Sequence, residues 1–270
     1  MRTAALALAA ATLVACGPGR STFARYPGAT PEFDRTAQDP KALEIADKVV
    51  AASGGTATWS TAKQLRWQQV ISQDGKEMLA GEQAWDRWNG RHYGRAKREG
   101  GDMVVMRDVY SPGGNAFIDN GQKLKKLDGG ADQAVSASRD RWEFDTGVLF
   151  IPFLLEEPGT KLEYGGEVQG DDGKPRDLLK VSFDPKDQRK TKYQLVISRD
   201  TNLIERIEIQ QPGKSEDERL GYAVTQWIDA KGMKLPGTLE NIGLKGEIVQ
   251  YKDVTIGDPD DTLFVPPPML

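Results

Sequence analysis

Two spacings of hydrophobic residues divide the chain into helical and extended regions. Near the start of the regular part, Leu43, Ala46 and Val50 recur at intervals of three and four, which is typical of one buried helix face. Asp39 suits the N-cap of such a helix with Pro40 as its first residue, and a following pair of glycines would end it. The pattern therefore predicts a helix that begins at residue 40.

From residue 65 onward, hydrophobic and polar residues mostly alternate, which is the period of a half-buried strand. Turn dipeptides such as Asp74-Gly75, Asn89-Gly90 and Asn120-Gly121 separate these runs. The predicted strands are 65–70, 78–88, 103–110, 116–119, 123–127, 162–168, 178–183, 193–198, 204–209, 222–228, 234–240 and 247–255. They indicate about ten to twelve mostly antiparallel strands joined by short turns.

Residues 131–155 break the strand pattern and predict a second helical region. Its end, 148–155, is the most apolar stretch outside the N-terminal region, and Pro152 would end or kink a helix there. This stretch is far shorter than the roughly 20 apolar residues that span a bilayer. The chain as a whole is expected to be mainly β with two helical regions.

The first residues have the layout of a secretory signal peptide, with Arg2 followed by a short apolar run. The run ends in Leu13-Val14-Ala15-Cys16, which resembles the lipobox of bacterial lipoproteins at all four positions. The resemblance implies that residues 1–15 are removed as a signal peptide. It also implies that Cys16 carries a diacylglyceryl group and that its new amino group carries a fatty acyl chain such as palmitate.

The lipobox suggests how the rest of the chain is organised. Residues 16–39 contain Pro, Gly, Ser and Thr without an apolar period, so we expect a lipidated flexible tether, followed by one domain over 40–270. The second half of the tether could instead wrap onto the domain. An Asp after the lipidated cysteine commonly retains such proteins in the inner membrane, and Gly17 stands there. We therefore expect a membrane-anchored lipoprotein of the outer membrane that faces the periplasm.

Composition narrows the possible functions. Cys16 is the one cysteine and His92 the one histidine, so an intrachain disulfide, a cysteine metal site and a multi-histidine metal site are excluded. Without residues 1–15 the chain loses Arg2, one of 36 basic side chains, so 35 remain against 40 acidic ones, a net charge of −5. Nucleic-acid binding is disfavoured because it normally needs a basic face. No cofactor is expected.

Three segments are similar to the LolA/LolB/LppX-type group of periplasmic lipoprotein carriers and lipid-binding lipoproteins. They are residues 81–91 (GEQAWDRWNGR), 193–204 (YQLVISRDTNLI) and 229–236 (DAKGMKLP). The resemblance covers about residues 40–256. It implies an unclosed antiparallel β-barrel, or half-barrel, around an apolar cavity with a helical lid. It also implies a lipid or lipoprotein as the ligand. The chain differs from the carriers in two respects, because it has a lipobox, unlike the soluble carrier, and is longer than either sorting factor.

A half-barrel of this kind would bind an apolar ligand, such as lipoprotein acyl chains, between its sheet and its lid. The candidate lining and lid residues are Trp67, Trp85, Met103, Val105, Phe150, Phe153, Leu154 and Phe183. Each of them could also simply fill the core. Arg87 and Arg91, in a locally basic stretch, could contact phosphate headgroups, or could belong to a solvated hairpin end.

Two alternatives remain beside ligand binding. A lipoprotein with a structural or protein-interaction role would need the same anchor and no cavity. A carboxylate-based hydrolase would need two converging carboxyl groups, which sequence cannot place. With a lone histidine and no Gly-x-Ser-x-Gly motif, we do not expect an enzyme. Asp258, Asp260 and Asp261 lack the full pattern of a calcium loop.

Overall fold

Thirteen antiparallel strands form a single sheet in the computed structural model, which describes residues 33–121, 123–127, 129–187 and 189–265. The predicted signal peptide, Cys16 and most of the predicted tether lie outside the described residues. The strands are β1 Gln64–Gln73, β2 Lys76–Asp86, β3 Arg91–Ala96, β4 Asp102–Asp108, β5 Asn115–Asp119, β6 Leu124–Lys126, β7 Thr160–Gln169, β8 Pro175–Phe183, β9 Lys192–Ser198, β10 Ile204–Gln210, β11 Leu220–Ala230, β12 Met233–Asn241 and β13 Glu247–Gly257.

The strand order is β6-β5-β4-β3-β2-β1-β13-β12-β11-β10-β9-β8-β7. The chain therefore enters the middle of the sheet and meanders outward to one edge. It then crosses to the opposite edge and meanders back, until β13 pairs with β1, as in Gln69 opposite Tyr251. The two edge strands, β6 and β7, do not pair with each other among the described residues. The expected unclosed half-barrel is confirmed by this strand order.

Four helices accompany the sheet: α1 Pro40–Ala52, α2 Gly55–Thr61, α3 Ala131–Leu149 and α4 Ile151–Leu154. The Asp39 side chain accepts hydrogen bonds from the backbone N–H groups of Lys41 and Ala42, as expected of an N-cap. One face of α1 is buried, and α1 packs beside β7, β8 and α4. The α3–α4 segment connects the two edge strands, so it must cross from one side of the sheet to the other.

The core lies between the sheet and the helices, and the apolar stretch 148–155 forms its centre. Leu149, Phe150, Ile151 and Leu155 have no exposed surface. Trp59 of α2 stacks on Phe153 with ring centroids 4.9 Å apart. Residues 148–155 therefore fill the centre of the core as well as covering the sheet.

Every predicted strand overlaps an observed one, but β3 and α2 are absent from the prediction. Strand β3 reads RHYGRA and has almost no apolar residues, because α3 passes very close to it. A Cβ atom on Gly94 would lie 2.9 Å from the Ser138 hydroxyl oxygen of α3. Helix α2 contains three Thr and one Gly, which are poor helix formers, and it is held by the buried Trp59.

The end of the predicted tether belongs to the folded domain. Residues 35–37 form a short 3₁₀ helix, and the next two side chains bind β7. Gln38 accepts a hydrogen bond from the Leu162 backbone N–H at 2.6 Å, and Asp39 accepts one from that of Tyr164 at 2.9 Å. The expected boundary at residue 40 is therefore several residues too late.

None of the helices within the described ranges is both long and apolar enough to cross a membrane.

The end of α1 gives a test of this packing. Gly54 has a φ of 112°, and a Cβ atom there would lie 2.2 Å from the backbone oxygen of Gly232 in the β11–β12 turn. We expect Gly54→Ala to lower the free energy of unfolding by about 3 kcal/mol or more, since strain and a backbone clash add. Urea denaturation measures this change.

Gly55→Ala is the matched control. Gly55 also has a positive φ, but a Cβ atom there would have no other atom within 4 Å. We expect Gly55→Ala to lower the free energy of unfolding by about 1–2 kcal/mol, from backbone strain alone. Equal losses in the two variants would contradict the close docking of α1 on the β11–β12 turn.

Candidate functional site

Helix α3 lies across one face of the sheet and separates two cavities. Ala134, Ala137 and Arg141 line the first, and Arg139 and Glu143 line the second. At 100° per residue these two groups point to opposite sides of the helix. We call the first the apolar cavity and the second the cationic cavity.

The apolar cavity has a volume of about 400 Å³ and lies between α3 and the strands β1 to β4 and β13. Its apolar side chains are Ile71, Leu79, Met103, Val105, Ala134, Ala137, Phe144 and Val249. Gln69 and Gln83 add polar groups. The charged residues of the lining are the three cations Arg95, Arg98 and Arg141 and the two carboxylates Glu82 and Glu247. Such a cavity is of the size and character that proteins use for small apolar ligands.

The cationic cavity has a volume of about 470 Å³. It lies between α3, the segment that follows β4 and the segment that precedes β9. Its charged residues are Arg107, Arg139, Glu143, Arg189 and Lys190, four cations with one carboxylate. Trp142, Leu154 and Phe183 contribute apolar wall.

Asp145 belongs to α3 and is fully buried. Its carboxylate accepts four hydrogen bonds from the sheet beneath the helix. Trp67 Nε1 donates at 2.9 Å and the Tyr251 hydroxyl at 3.1 Å, and the side-chain amides of Gln69 and Gln83 donate as well. The donors come from β1, β2 and β13, so one side chain fixes α3 to three adjacent strands. Each carboxylate oxygen accepts two of the four bonds.

Burial raises the pKa of Asp145 to about 6, although the nearby Arg141 charge and the hydrogen bonds of Trp67, Tyr251 and Gln83 favour the ionised form. All four partners donate, which fits a carboxylate that is ionised at neutral pH. Burial also raises the pKa of the Tyr251 hydroxyl well above its usual value, with the Asp145 charge as the next cause. Tyr251 therefore stays a donor over the whole physiological range.

A second set of hydrogen bonds continues from Gln83 to the cationic cavity. His92 Nε2 lies 2.6 Å from Gln83 Oε1, and Arg107 Nε donates to His92 Nδ1 at 3.2 Å. Because Arg107 can only donate, the His92 proton sits on Nε2. Burial, with the Arg107 charge second, holds the pKa of His92 well below its usual value. The histidine is thus neutral and both its ring nitrogens are engaged.

The predicted ligand-binding residues separate into three groups in the structure. Met103 and Val105 line the apolar cavity. Leu154 and Phe183 line the cationic cavity. The remaining four are core residues packed around α2 and α4: Trp67, Trp85, Phe150 and Phe153.

The two arginines that could contact headgroups, Arg87 and Arg91, line neither the apolar nor the cationic cavity. Arg87 is buried; its guanidinium stacks on Trp59 at 3.5 Å and lies 3.7 Å from the carboxylate of Glu157. It therefore holds α2 in place and does not reach solvent. Arg91 is half-buried and pairs with Asp86 and Asp261, both at 2.6 Å. The solvated hairpin end expected here is instead the ordered strand β3.

The polar network was not predicted from sequence. Gln69 and Gln83 occupy alternating positions of predicted strands where buried apolar residues are usual, and this is the one signal that the sequence offers. Asp145 lies in a helical region with many charges, so nothing in its neighbours marks it as buried. Across the described ranges no group of His, Cys, Asp or Glu side chains is arranged to hold a metal ion.

No known family model matches this chain, and no curated protein sequence matches it. Solved structures with some likeness include a DUF1329 family protein from Desulfovibrio piger, with 11% identity over 84% of this chain and 98% of that one and a TM-score of 0.48. A LolA superfamily protein from Nitrosomonas europaea has 11% identity, coverage of 83% and 97%, and a TM-score of 0.47. A putative outer membrane lipoprotein-sorting protein domain from Vibrio parahaemolyticus has 9% identity, coverage of 83% and 96%, and a TM-score of 0.44.

The raised pKa of Asp145 predicts a specific pH dependence of stability. Between the ordinary carboxyl pKa of about 4 and the folded value of about 6, the native state binds more protons than the unfolded state. The contribution of Asp145 to the free energy of unfolding should therefore fall by up to about 3 kcal/mol as the pH rises through this window.

Asp145→Asn isolates this effect, although it also places an amide N–H₂ among four donors and so destabilises the protein at every pH. We expect urea denaturation of both proteins at pH 4, 5, 6 and 7 to show the largest difference at pH 4. There the free energy of unfolding of wild type should exceed that of the variant by most. The exposed Asp47→Asn on α1 serves as a control. A gap between wild type and Asp145→Asn that widens as the pH rises would contradict the buried, poorly solvated carboxylate.

Proposed function

We propose that this protein is an exported lipoprotein, anchored to the outer membrane through Cys16, that binds a lipid or another apolar ligand in the apolar cavity. The observation that carries the proposal is the cavity itself. A space of about 400 Å³ remains between α3 and the sheet beside Met103 and Val105. A binding protein needs such a space, whereas a purely structural domain would gain stability by filling it.

The chemistry of the walls supports an alkyl or acyl ligand. Each buried CH₂ group contributes about 0.8 kcal/mol, so a few methylene groups against Ile71, Phe144 and Val249 would give useful affinity. The side-chain amide of Gln83 is fully used by Asp145 and His92, and the Gln69 nitrogen by Asp145. The Gln69 oxygen is buried without a hydrogen-bond partner, so it is an acceptor that one polar group of a mostly apolar ligand could satisfy.

The proposed anchor places the cavity near a source of lipid. Residues 17 to 32 lie between Cys16 and the first described residue. Fully extended, such a segment reaches at most roughly 55 Å. A domain tethered in this way would remain within about one domain diameter of the membrane surface, where apolar ligands are concentrated.

The ligand site can be tested with a neutral apolar fluorophore such as N-phenyl-1-naphthylamine. Ala137 lines the apolar cavity from the exposed side of α3, so Ala137→Trp would fill the space without changing the core. We expect wild type to bind the fluorophore, phospholipids or fatty acids to displace it, and Ala137→Trp to weaken binding at least tenfold. Fluorescence titration measures all three.

Ser136→Trp is the matched control, because Ser136 is exposed on the same helix turn and lines neither cavity. It should bind the fluorophore like wild type. If both tryptophan variants bind as tightly as wild type, the apolar cavity is not the site. If wild type does not bind the fluorophore at all, the proposed ligand class is wrong.

The anchor predicts a separate result. We expect Cys16→Ser, expressed with its own signal in a Gram-negative host, to move from the membrane fraction to the soluble periplasmic fraction. Intact mass measurement of the wild-type protein should show an N-terminal Cys16 with added acyl mass. A Cys16→Ser protein that remains in the membrane fraction at wild-type levels would contradict lipidation as the anchor.

A further inference from the structure

The cationic cavity contains a buried guanidinium that has no ion pair among the described residues. Arg107 has only 5% of its surface exposed, and its one hydrogen bond, from Nε, goes to the neutral His92. Its Nη2 atom is buried and has no hydrogen-bond partner. No described carboxylate lies within ion-pair distance of Arg107, although 21 such pairs occur elsewhere in the described residues.

A buried guanidinium without an ion pair is costly; the charge of Arg139 adds to that cost, whereas Glu143, Asp108 and Asp140 offset part of it from a distance. Burial lowers the pKa of Arg107 to about 10, and the charge of Arg139 is the next cause. Arg139 donates to the backbone oxygen of Pro112 and pairs with no described carboxylate either. Two arginines of the same cavity therefore have no ion pair among the described residues, although the carboxylate of Glu143 lines the same cavity.

We propose that the cationic cavity is an oxyanion-binding site that takes the carboxylate or phosphate group of an amphiphilic molecule. Arg107 contacts the oxyanion from the sheet side and Arg139 from α3, because the guanidinium group is suited to both carboxylate and phosphate. The walls formed by Trp142, Leu154 and Phe183 accept the adjoining apolar part. The site lies on the opposite side of α3 from the apolar cavity, so it does not rest on the proposed function.

Compounds that share one short alkyl chain and differ in their headgroup can be compared by isothermal titration calorimetry at constant ionic strength. We expect octyl phosphate and octanoate to bind wild type and octanol, which has no charge, to bind much more weakly. Inorganic phosphate separates two sources of the oxyanion. Phosphate that binds as tightly as octyl phosphate would support the oxyanion site and assign it to a free anion, whereas weaker binding assigns it to a headgroup.

The chain offers a matched pair of variants on α3. Arg139 lines the cationic cavity, whereas Arg141, two residues away, lines the apolar cavity. We expect Arg139→Gln to weaken octyl phosphate binding roughly tenfold, the effect of losing one charge-assisted hydrogen bond, and Arg141→Gln to leave it unchanged. Arg107→Lys, which keeps the charge but not the fork of donors, should also weaken it.

Octanol that binds as tightly as octyl phosphate would overturn the proposal, as would Arg139→Gln and Arg107→Lys variants that bind like wild type. Ala137→Trp separates this proposal from the preceding one. It should weaken fluorophore binding in the apolar cavity at least tenfold and leave octyl phosphate binding intact. Loss of both ligands in that variant would show that they share the apolar cavity, which contradicts an oxyanion site across α3.

Discussion

The carboxylate of Asp145 is the contact on which the arrangement of this protein depends. It is buried beneath α3 and accepts hydrogen bonds from β1, β2 and β13, the three strands at the middle of the sheet. A buried charge of this kind is tolerated only when several donors satisfy it. The same four bonds fix the height and rotation of α3 over the sheet, and this rotation decides which side chains of α3 face each cavity.

The topology explains why a helix occupies this place. The first and last strands, β1 and β13, pair near the centre of the sheet, so the chain must make a long connection from edge strand β6 to edge strand β7. That connection carries α3 and α4, and its apolar end fills the core around Phe150. The helix cannot fill the whole width of the sheet, and the two cavities on its flanks are what remains. One is apolar, and the other contains the unpaired Arg107 and Arg139.

Much of the fold could be predicted from sequence, because alternation and turn dipeptides are local signals. The helix after Asp39, the helical region at 131–155 and nearly all strands follow from them. Strand β3 could not be predicted, since its inward positions hold His92 and Gly94 and respond to a helix that is about 40 residues away in sequence. For the same reason Arg87 reads as a surface charge, although it is buried on Trp59. Of the candidate site, Met103 and Val105 could be named, but which apolar residues border empty space depends on the position of α3.

We propose that the space beside α3 holds an apolar ligand, and a crystal structure with a brominated alkyl compound can locate such a ligand. Anomalous scattering locates bromine without any assumption about the ligand's pose. We expect a bromine peak between α3 and strands β3 and β4, in contact with Met103 or Val105. A peak confined to the protein surface, or apolar walls that collapse onto each other with no ligand between them, would contradict it.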